Sequence, residues 1–119
     1  MLTRDEAPSG TPAGAIIGTA AVFGPVPDDV LIALATIGIA STRDASSCDL
    51  VLADVGDAEL ARLIARGRPV IATTAAGDLA AAVTLARLGA VDVLTRPIQP
   101  DLAARKVERA LRRAKQRSS

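Results

Sequence analysis

The residues best suited to chemistry stand where apolar runs of the sequence end. Polar side chains close three such runs: Asp54, the pair Thr73 and Thr74, and the pair Thr95 and Arg96. If the runs are parallel strands, their carboxyl ends meet at one edge of the sheet, and these side chains converge there. Together they could receive a phosphoryl-like group, with a carboxylate acceptor, hydroxyl donors and a fixed positive charge. The alternative is structural, with Asp54 capping the next helix and the threonines satisfying local backbone groups, and spacing alone leaves both open.

The composition removes several other kinds of chemistry. The 119 residues include no His, which excludes His-based acid–base catalysis and His metal ligation. A single cysteine, Cys48, cannot form an internal disulfide or a thiolate cluster. A single aromatic residue, Phe23, excludes a base-stacking platform for nucleic acid. What remains is an Ala-rich, aliphatic domain.

The elements that would position these residues are five apolar runs alternating with helical segments. The predicted strands are Ala15–Phe23, Ile39–Thr42, Asp49–Val55, Pro69–Thr74 and Val91–Thr95. They lack polar–apolar alternation, which is typical of parallel strands covered on both faces. Helices are predicted at Val30–Ile37, Asp57–Arg66 and Asp78–Leu88, and from Pro100 onward. Alternating strands and helices of this kind predict a doubly wound α/β domain. Only residues 43–48 separate the second and third strands, which is too few for a crossover helix, so we expect the second helix to be reduced or missing.

The domain boundaries follow from local composition. Residues 1–14 are rich in Pro, Gly and Ser and predict a disordered leader, residues 15–116 form the domain, and residues 117–119 form a disordered tail. The apolar run from Ala13 to Phe23 is shorter than the roughly 20 residues of a membrane helix. It follows Asp5 and Glu6, a poor start for an export signal. We expect a cytoplasmic protein with no membrane partner.

The C-terminal segment is strongly basic. Residues 102–119 contain seven basic residues and one acidic residue, whereas residues 1–101 contain seven basic and twelve acidic residues. The apolar positions follow helical spacing: Ala103, Val107, Ala110, Leu111 and Ala114. The other face carries Arg105, Lys106, Arg109, Arg112 and Arg113. This pattern is typical of a solvated amphipathic helix, and with no recognition motif nucleic acid is not the expected partner.

Three segments resemble the receiver domain of bacterial response regulators: DLVLADV at 49–55, PVIATTA at 69–75 and LARLGAVDVLTRPIQPDL at 85–102. The resemblance implies a flavodoxin-like sheet of five parallel strands in the order 2-1-3-4-5. It assigns the phosphoacceptor role to Asp54 and the conserved hydroxyl of the phosphate site to Thr74. The lysine of the family is replaced by Arg96, and its aromatic switch position falls on Val93, which has no ring to rotate.

Departures from the family are concentrated at the metal site. Receivers hold Mg²⁺ partly through an acidic pair at the end of the first strand, where this sequence has Phe23 and Gly24. Asp28 and Asp29 follow two prolines, and a helix N-terminus explains them. Without the acidic pair, Mg²⁺ loses most of its oxygen ligands, and phosphoryl transfer lacks the cation that neutralises charge. We expect Mg²⁺ binding to be lost, the ring of Phe23 to fill the vacated pocket, and no cofactor to be bound.

These features predict a degenerate receiver, or pseudo-receiver, that works independently of phosphorylation and is not an enzyme. It would act through a protein partner, an output domain of a longer chain or a homodimer. We place the core stripe of the third predicted helix at Leu79, Ala82, Val83 and Ala86. The expected interaction face comprises Leu85 and Leu88 of that helix with Val93 and Thr95 of the last strand. The alternative is that neighbouring elements bury this helix more deeply.

Two other functions remain open at this point. The first is a working phosphoacceptor, in which Asp54 is phosphorylated with the help of Thr74 and Arg96. The second is a module for a small anionic ligand, held by Arg96 and the backbone of the helix start near Gly56.

Overall fold

A computed structural model of the protein describes residues 16–118, with side chains to residue 116. The predicted leader at 1–14 lies outside the described residues. The strands are β1 Gly18–Phe23, β2 Ile39–Thr42, β3 Leu50–Ala53, β4 Val70–Ala75 and β5 Asp92–Arg96. The helices are α1 Asp28–Thr36, α2 Asp57–Ala65, α3 Leu79–Leu88 and α4 Pro100–Ser118, and Ala45–Ser47 forms one 3₁₀ turn.

The five strands form one parallel sheet in the order β2-β1-β3-β4-β5. This arrangement confirms the predicted doubly wound fold. The strand order reverses between β1 and β3, where Phe23 lies opposite Ala53. In folds of this type, functional groups collect at the carboxyl ends of the strands beside such a reversal.

The connection between β2 and β3 contains the 3₁₀ turn in place of a helix, as the short spacing predicts. Asp44 caps this turn, and its side chain accepts hydrogen bonds from Ser46 and Ser47. These bonds, the Ser46 ones most strongly, lower the pKa of Asp44. Ala45 and Cys48 are buried against the sheet. Burial raises the pKa of the Cys48 thiol, consistent with a small packing residue and not a reactive nucleophile.

Two apolar layers cover the sheet. One contains Leu34 of α1 and Val107 of α4, and the other contains Leu60 of α2 and Leu85 of α3. The predicted apolar stripe of α4 is buried at Ala103, Val107, Ala110 and Leu111. This helix continues through residue 118, two residues into the segment predicted as a tail. Among the described residues, no helix combines the length and the apolar character needed to cross a bilayer.

The orientation of α3 differs from the prediction. Leu85 is 6% exposed and belongs to the core, whereas Leu79 and Val83, predicted to be core residues, are 75% and 42% exposed. The helix has apolar residues on every side, so its hydrophobic pattern does not define which side faces the sheet. The packing of Leu85 against the α2 layer does define it. Leu85 is therefore removed from the predicted interaction face, whereas Leu88 stays exposed.

Candidate functional site

The carboxyl ends of β3, β4 and β5 bring together Asp54, Thr73 and Arg96. The Thr73 hydroxyl donates to Oδ1 of Asp54 at 2.7 Å, and Nη1 of Arg96 donates to the same oxygen at 2.7 Å. The same Arg96 nitrogen lies 3.3 Å from Oγ1 of Thr73. The expected convergence of a carboxylate, a hydroxyl and a guanidinium at this edge is therefore present.

The site is a buried carboxylate beneath a partly solvated cation. The side chain of Asp54 is 10% exposed and that of Arg96 is 49% exposed. Hydrogen bonds between ionised groups are stronger than neutral ones, but solvent around Arg96 limits this ion pair to on the order of 1 kcal/mol of stability. The pair joins β3 to β5, and Thr73 joins both to β4.

The hydroxyl that contacts Asp54 belongs to Thr73 and not to Thr74, the residue selected by the resemblance. Leu52 lies opposite Ile71 in the sheet, so Asp54 and Thr73, each two residues further along, project on the same face. Thr74 is buried, points to the opposite face of the strand, and also lines the cavity beside the site. Strand alternation combined with the correct register would have selected Thr73 from the sequence.

A cavity of about 570 Å³ opens over the site. Its charged lining consists of three carboxylates, from Asp54, Asp57 and Asp78, and one cation, Arg96. Asp78 also caps α3, its side chain accepting a hydrogen bond from the amide of Ala81 at 3.0 Å. The excess of negative charge opposes a small anionic ligand, and Arg96 is already engaged with Asp54.

The end of β1 lies unusually close to β3. Gly24 has φ +86°, and a Cβ added there would lie 2.0 Å from the carbonyl oxygen of Asp54. The amide of Asp54 also donates to the carbonyl of Phe23 at 3.0 Å. The backbone therefore leaves no room for a side chain at the second position of the family's acidic pair.

Phe23 does not lie where the vacated-pocket hypothesis places it. It is opposite Ala53 in the sheet and packs, partly buried, against the layer that contains Leu60. The cavity over Asp54 is lined by other residues. Strand alternation explains the difference, because Phe23 shares the face of Ala53 and not that of Asp54.

The donor set does not fit the Mg²⁺ site that the resemblance implies. Within residues 16–118, no group of three or more His, Cys, Asp and Glu side chains is placed to hold a metal ion. Asp28 and Asp29 are exposed in the first turn of α1. Asp54 is the acidic side chain at the carboxyl end of β3, and its Oδ1 already accepts two hydrogen bonds. Loss of Mg²⁺ binding nevertheless stays a prediction until it is measured.

The position of the family's aromatic switch is tied to α4. Val93 is half-buried, and its carbonyl accepts a hydrogen bond from Nζ of Lys106 at 2.8 Å. The same nitrogen lies 3.0 Å from Oδ1 of Asp92. The helical pattern of the sequence places Lys106 on a solvated face and does not predict this contact, because a link between β5 and α4 is visible only in the folded chain. Thr95 of the predicted interaction face is exposed.

Comparison with known proteins finds relatives only among solved structures. No family model and no curated protein matches the chain. Full-length FixJ from B. japonicum is 28% identical with a TM-score of 0.67, over 84% of this chain and 60% of that chain. NtrX from Brucella abortus in complex with ATP is 23% identical with a TM-score of 0.69, over 85% of this chain and 28% of that chain. The receiver domain of Francisella response regulator 1452 is 19% identical with a TM-score of 0.70, over 81% of this chain and 98% of that chain.

The sheet order and the strand-end site define a doubly wound α/β domain of the flavodoxin-like type. Among such domains, this chain has the fold of the receiver domains of two-component response regulators. The resemblance noted in the sequence is thereby confirmed. The chain spans just over a quarter of NtrX and three fifths of FixJ, which are longer proteins.

Proposed function

We propose that this receiver-type domain signals through protein contacts, without phosphorylation of Asp54 and without enzymatic activity of its own. The observation that carries the proposal is the close approach of Gly24 to the carbonyl of Asp54. This contact leaves no room for a carboxylate where receivers place the second member of their acidic pair. The first member's position holds Phe23, which packs into the core.

The chemistry of phosphoryl transfer supports the same proposal. Transfer to a carboxylate oxygen needs a divalent cation to neutralise the charge that develops on the phosphoryl group. Arg96 supplies a single positive charge, and it lies in direct contact with Oδ1 of Asp54. In this proposal the carboxylate of Asp54 serves as an anchor that joins Thr73 of β4 and Arg96 of β5 to β3.

Incubation with acetyl phosphate and Mg²⁺ is expected to leave the protein unmodified. Intact-protein mass spectrometry measures the phosphorylated fraction, and fluorine NMR with beryllofluoride and Mg²⁺ tests for the corresponding adduct. A receiver domain that retains the acidic pair, treated in parallel, shows that the reagents are active. A stoichiometric adduct that disappears in Asp54→Asn would overturn the proposal.

A phosphorylated Asp54 is the second candidate function, and one observation favours it. Asp54, Thr73 and Arg96 form a compact group of a carboxylate, a hydroxyl and a cation, which are the residue types that the resemblance implies. The adduct experiment separates the two candidates directly. The small-anion module has no such support, because three carboxylates line the cavity.

The exposed side of α3 is the surface that best suits a protein contact. Leu79 is 75% exposed and Val83 is 42% exposed, on a helix of 10 residues, whereas Leu88, 41% exposed, lies on another side at the end of the helix. Leu79 and Val83 are four residues apart and therefore adjacent on the helix surface. Aliphatic side chains grouped in this way commonly mark interaction sites. The contact would be made with a second copy of the domain or with an output domain.

If the partner is a second copy, sedimentation velocity will show self-association that increases with protein concentration. Val83→Asp is expected to weaken this association by about tenfold or more, because it buries a charge in the contact. Ala61→Asp, on an exposed position of α2, serves as the control and should behave like the parent protein. A strictly monomeric protein at high concentration would rule out the homodimer.

A further inference from the structure

Three arginines lie at the amino end of the sheet, opposite the end that carries Asp54. Arg68 precedes β4, and Arg109 and Arg113 are one turn apart on α4. Within residues 16–116, whose side chains are described, no ion pair involves any of the three. Their neighbours on α4 differ, since Lys106 pairs with Asp92 and Arg112 with Glu108.

The three arginines border two adjoining hollows in the surface. Arg68 lines one of about 410 Å³, and Arg109 and Arg113 line a smaller one of about 40 Å³. Both hollows share Pro69 and Val91, and Val91 is 41% exposed. We call these five residues the basal surface. It consists of an apolar strip with guanidinium groups on both sides.

The carboxylates nearest the basal surface are committed to other partners. Asp49, in the larger hollow, accepts a hydrogen bond from the amide of Thr19 at 2.9 Å. Asp92, in the smaller hollow, is held by Lys106. A further cation, Lys115, lines the larger hollow and donates to the carbonyl of Ile17 at 2.6 Å. The charged groups lining the two hollows are thus four cations and two carboxylates.

We propose that the basal surface binds an acidic segment of a partner protein. Its carboxylates would accept hydrogen bonds from the guanidinium groups, which match carboxylates in a two-point geometry. An aliphatic side chain of the segment would cover Pro69 and Val91. A nucleic-acid backbone has phosphates for the arginines, but its sugars offer less apolar area to this strip than an aliphatic side chain does. The basal surface lies at the end of the sheet opposite Asp54, so its binding does not depend on whether Asp54 is phosphorylated.

The test uses two synthetic peptides of equal charge. In the Leu peptide, acidic residues (Asp or Glu) alternate with Leu, and in the Ser peptide they alternate with Ser. In an NMR titration of the isotope-labelled protein, the Leu peptide should shift amide signals near residues 68–70, 91–92 and 109–113. Fluorescence anisotropy should show the Leu peptide binding about threefold or more tightly than the Ser peptide, since it buries additional apolar area.

A matched pair of triple variants separates this surface from overall charge. Arg68→Ala combined with Arg109→Ala and Arg113→Ala should weaken binding of the Leu peptide by about tenfold or more. The control combines Arg43→Ala, Arg62→Ala and Arg105→Ala, which removes three exposed arginines elsewhere and should change the affinity by less than about twofold. Thermal unfolding verifies that both variants are folded.

Three results would overturn the proposal. The first is an absence of signal shifts at the basal surface, and the second is an equal loss of affinity in both triple variants. The third is a random-sequence DNA duplex that binds this surface more tightly than the Leu peptide at physiological salt, which would identify a nucleic-acid site instead.

Discussion

Gly24→Ala is expected to lower the free energy of unfolding by about 3 kcal/mol or more, among the largest effects of any single substitution in this protein. The backbone at Gly24 has φ +86°, where an L-residue costs roughly 1–2 kcal/mol. The added Cβ would also lie 2.0 Å from the carbonyl oxygen of Asp54. Because that atom belongs to the backbone, β1 and β3 must separate to relieve the overlap, which weakens the centre of the sheet.

Gly67→Ala provides the matched control. Gly67 has a similar φ of +92°, but no atom lies within 4 Å of its added Cβ. Gly67→Ala should therefore cost only the conformational term, roughly 1–2 kcal/mol. Urea unfolding followed by circular dichroism measures both values, and the melting temperature of Gly24→Ala should fall by roughly 10–20 °C. Equal losses in the two variants would show that the close approach of β1 to β3 is unimportant.

This result bears directly on the proposed function. If alanine is not tolerated at position 24, the larger aspartate is not tolerated either. Gly24→Asp should then destabilise the domain without restoring phosphorylation of Asp54. The metal site would be excluded by backbone geometry as well as by residue type, so a single substitution could not recover it.

Leu85→Ala is expected to cost about 2–4 kcal/mol, whereas Leu79→Ala should cost less than about 0.5 kcal/mol. Leu85 is 6% exposed and packs between the sheet and α2, so its truncation leaves a cavity. Leu79 is 75% exposed at the first position of α3, and alanine is a better helix former. The residue type, the substitution and the helix are the same, so burial accounts for most of the difference in stability.

Urea unfolding of the two variants under the same conditions measures this difference. A larger loss for Leu79→Ala would mean that α3 packs in the orientation predicted from the sequence and not in that of the structure. With the expected result, Leu79→Ala can also test the proposed protein contact of α3, because it removes exposed apolar surface from a domain that remains stable.

Most of the architecture could be predicted from the sequence, for identifiable reasons. Apolar runs without alternation indicate buried parallel strands. The six residues between the second and third strands cannot form a crossover helix, so the loss of that helix followed from length alone. The buried stripe of α4 was predictable because its apolar and basic residues separate cleanly onto two faces. The position of Asp54 at the end of a central strand followed from the same pattern.

By itself, then, the sequence determined the order of the elements, the parallel sheet, the absence of histidine chemistry and the strand-end location of Asp54 and Arg96. The tertiary structure decided which threonine contacts Asp54, which side of α3 is buried, and how closely Gly24 approaches β3. It also decided that Arg68 lies near Arg109 and Arg113. Each of these depends on register or on contacts between distant segments, and local patterns of side-chain polarity carry no information about either.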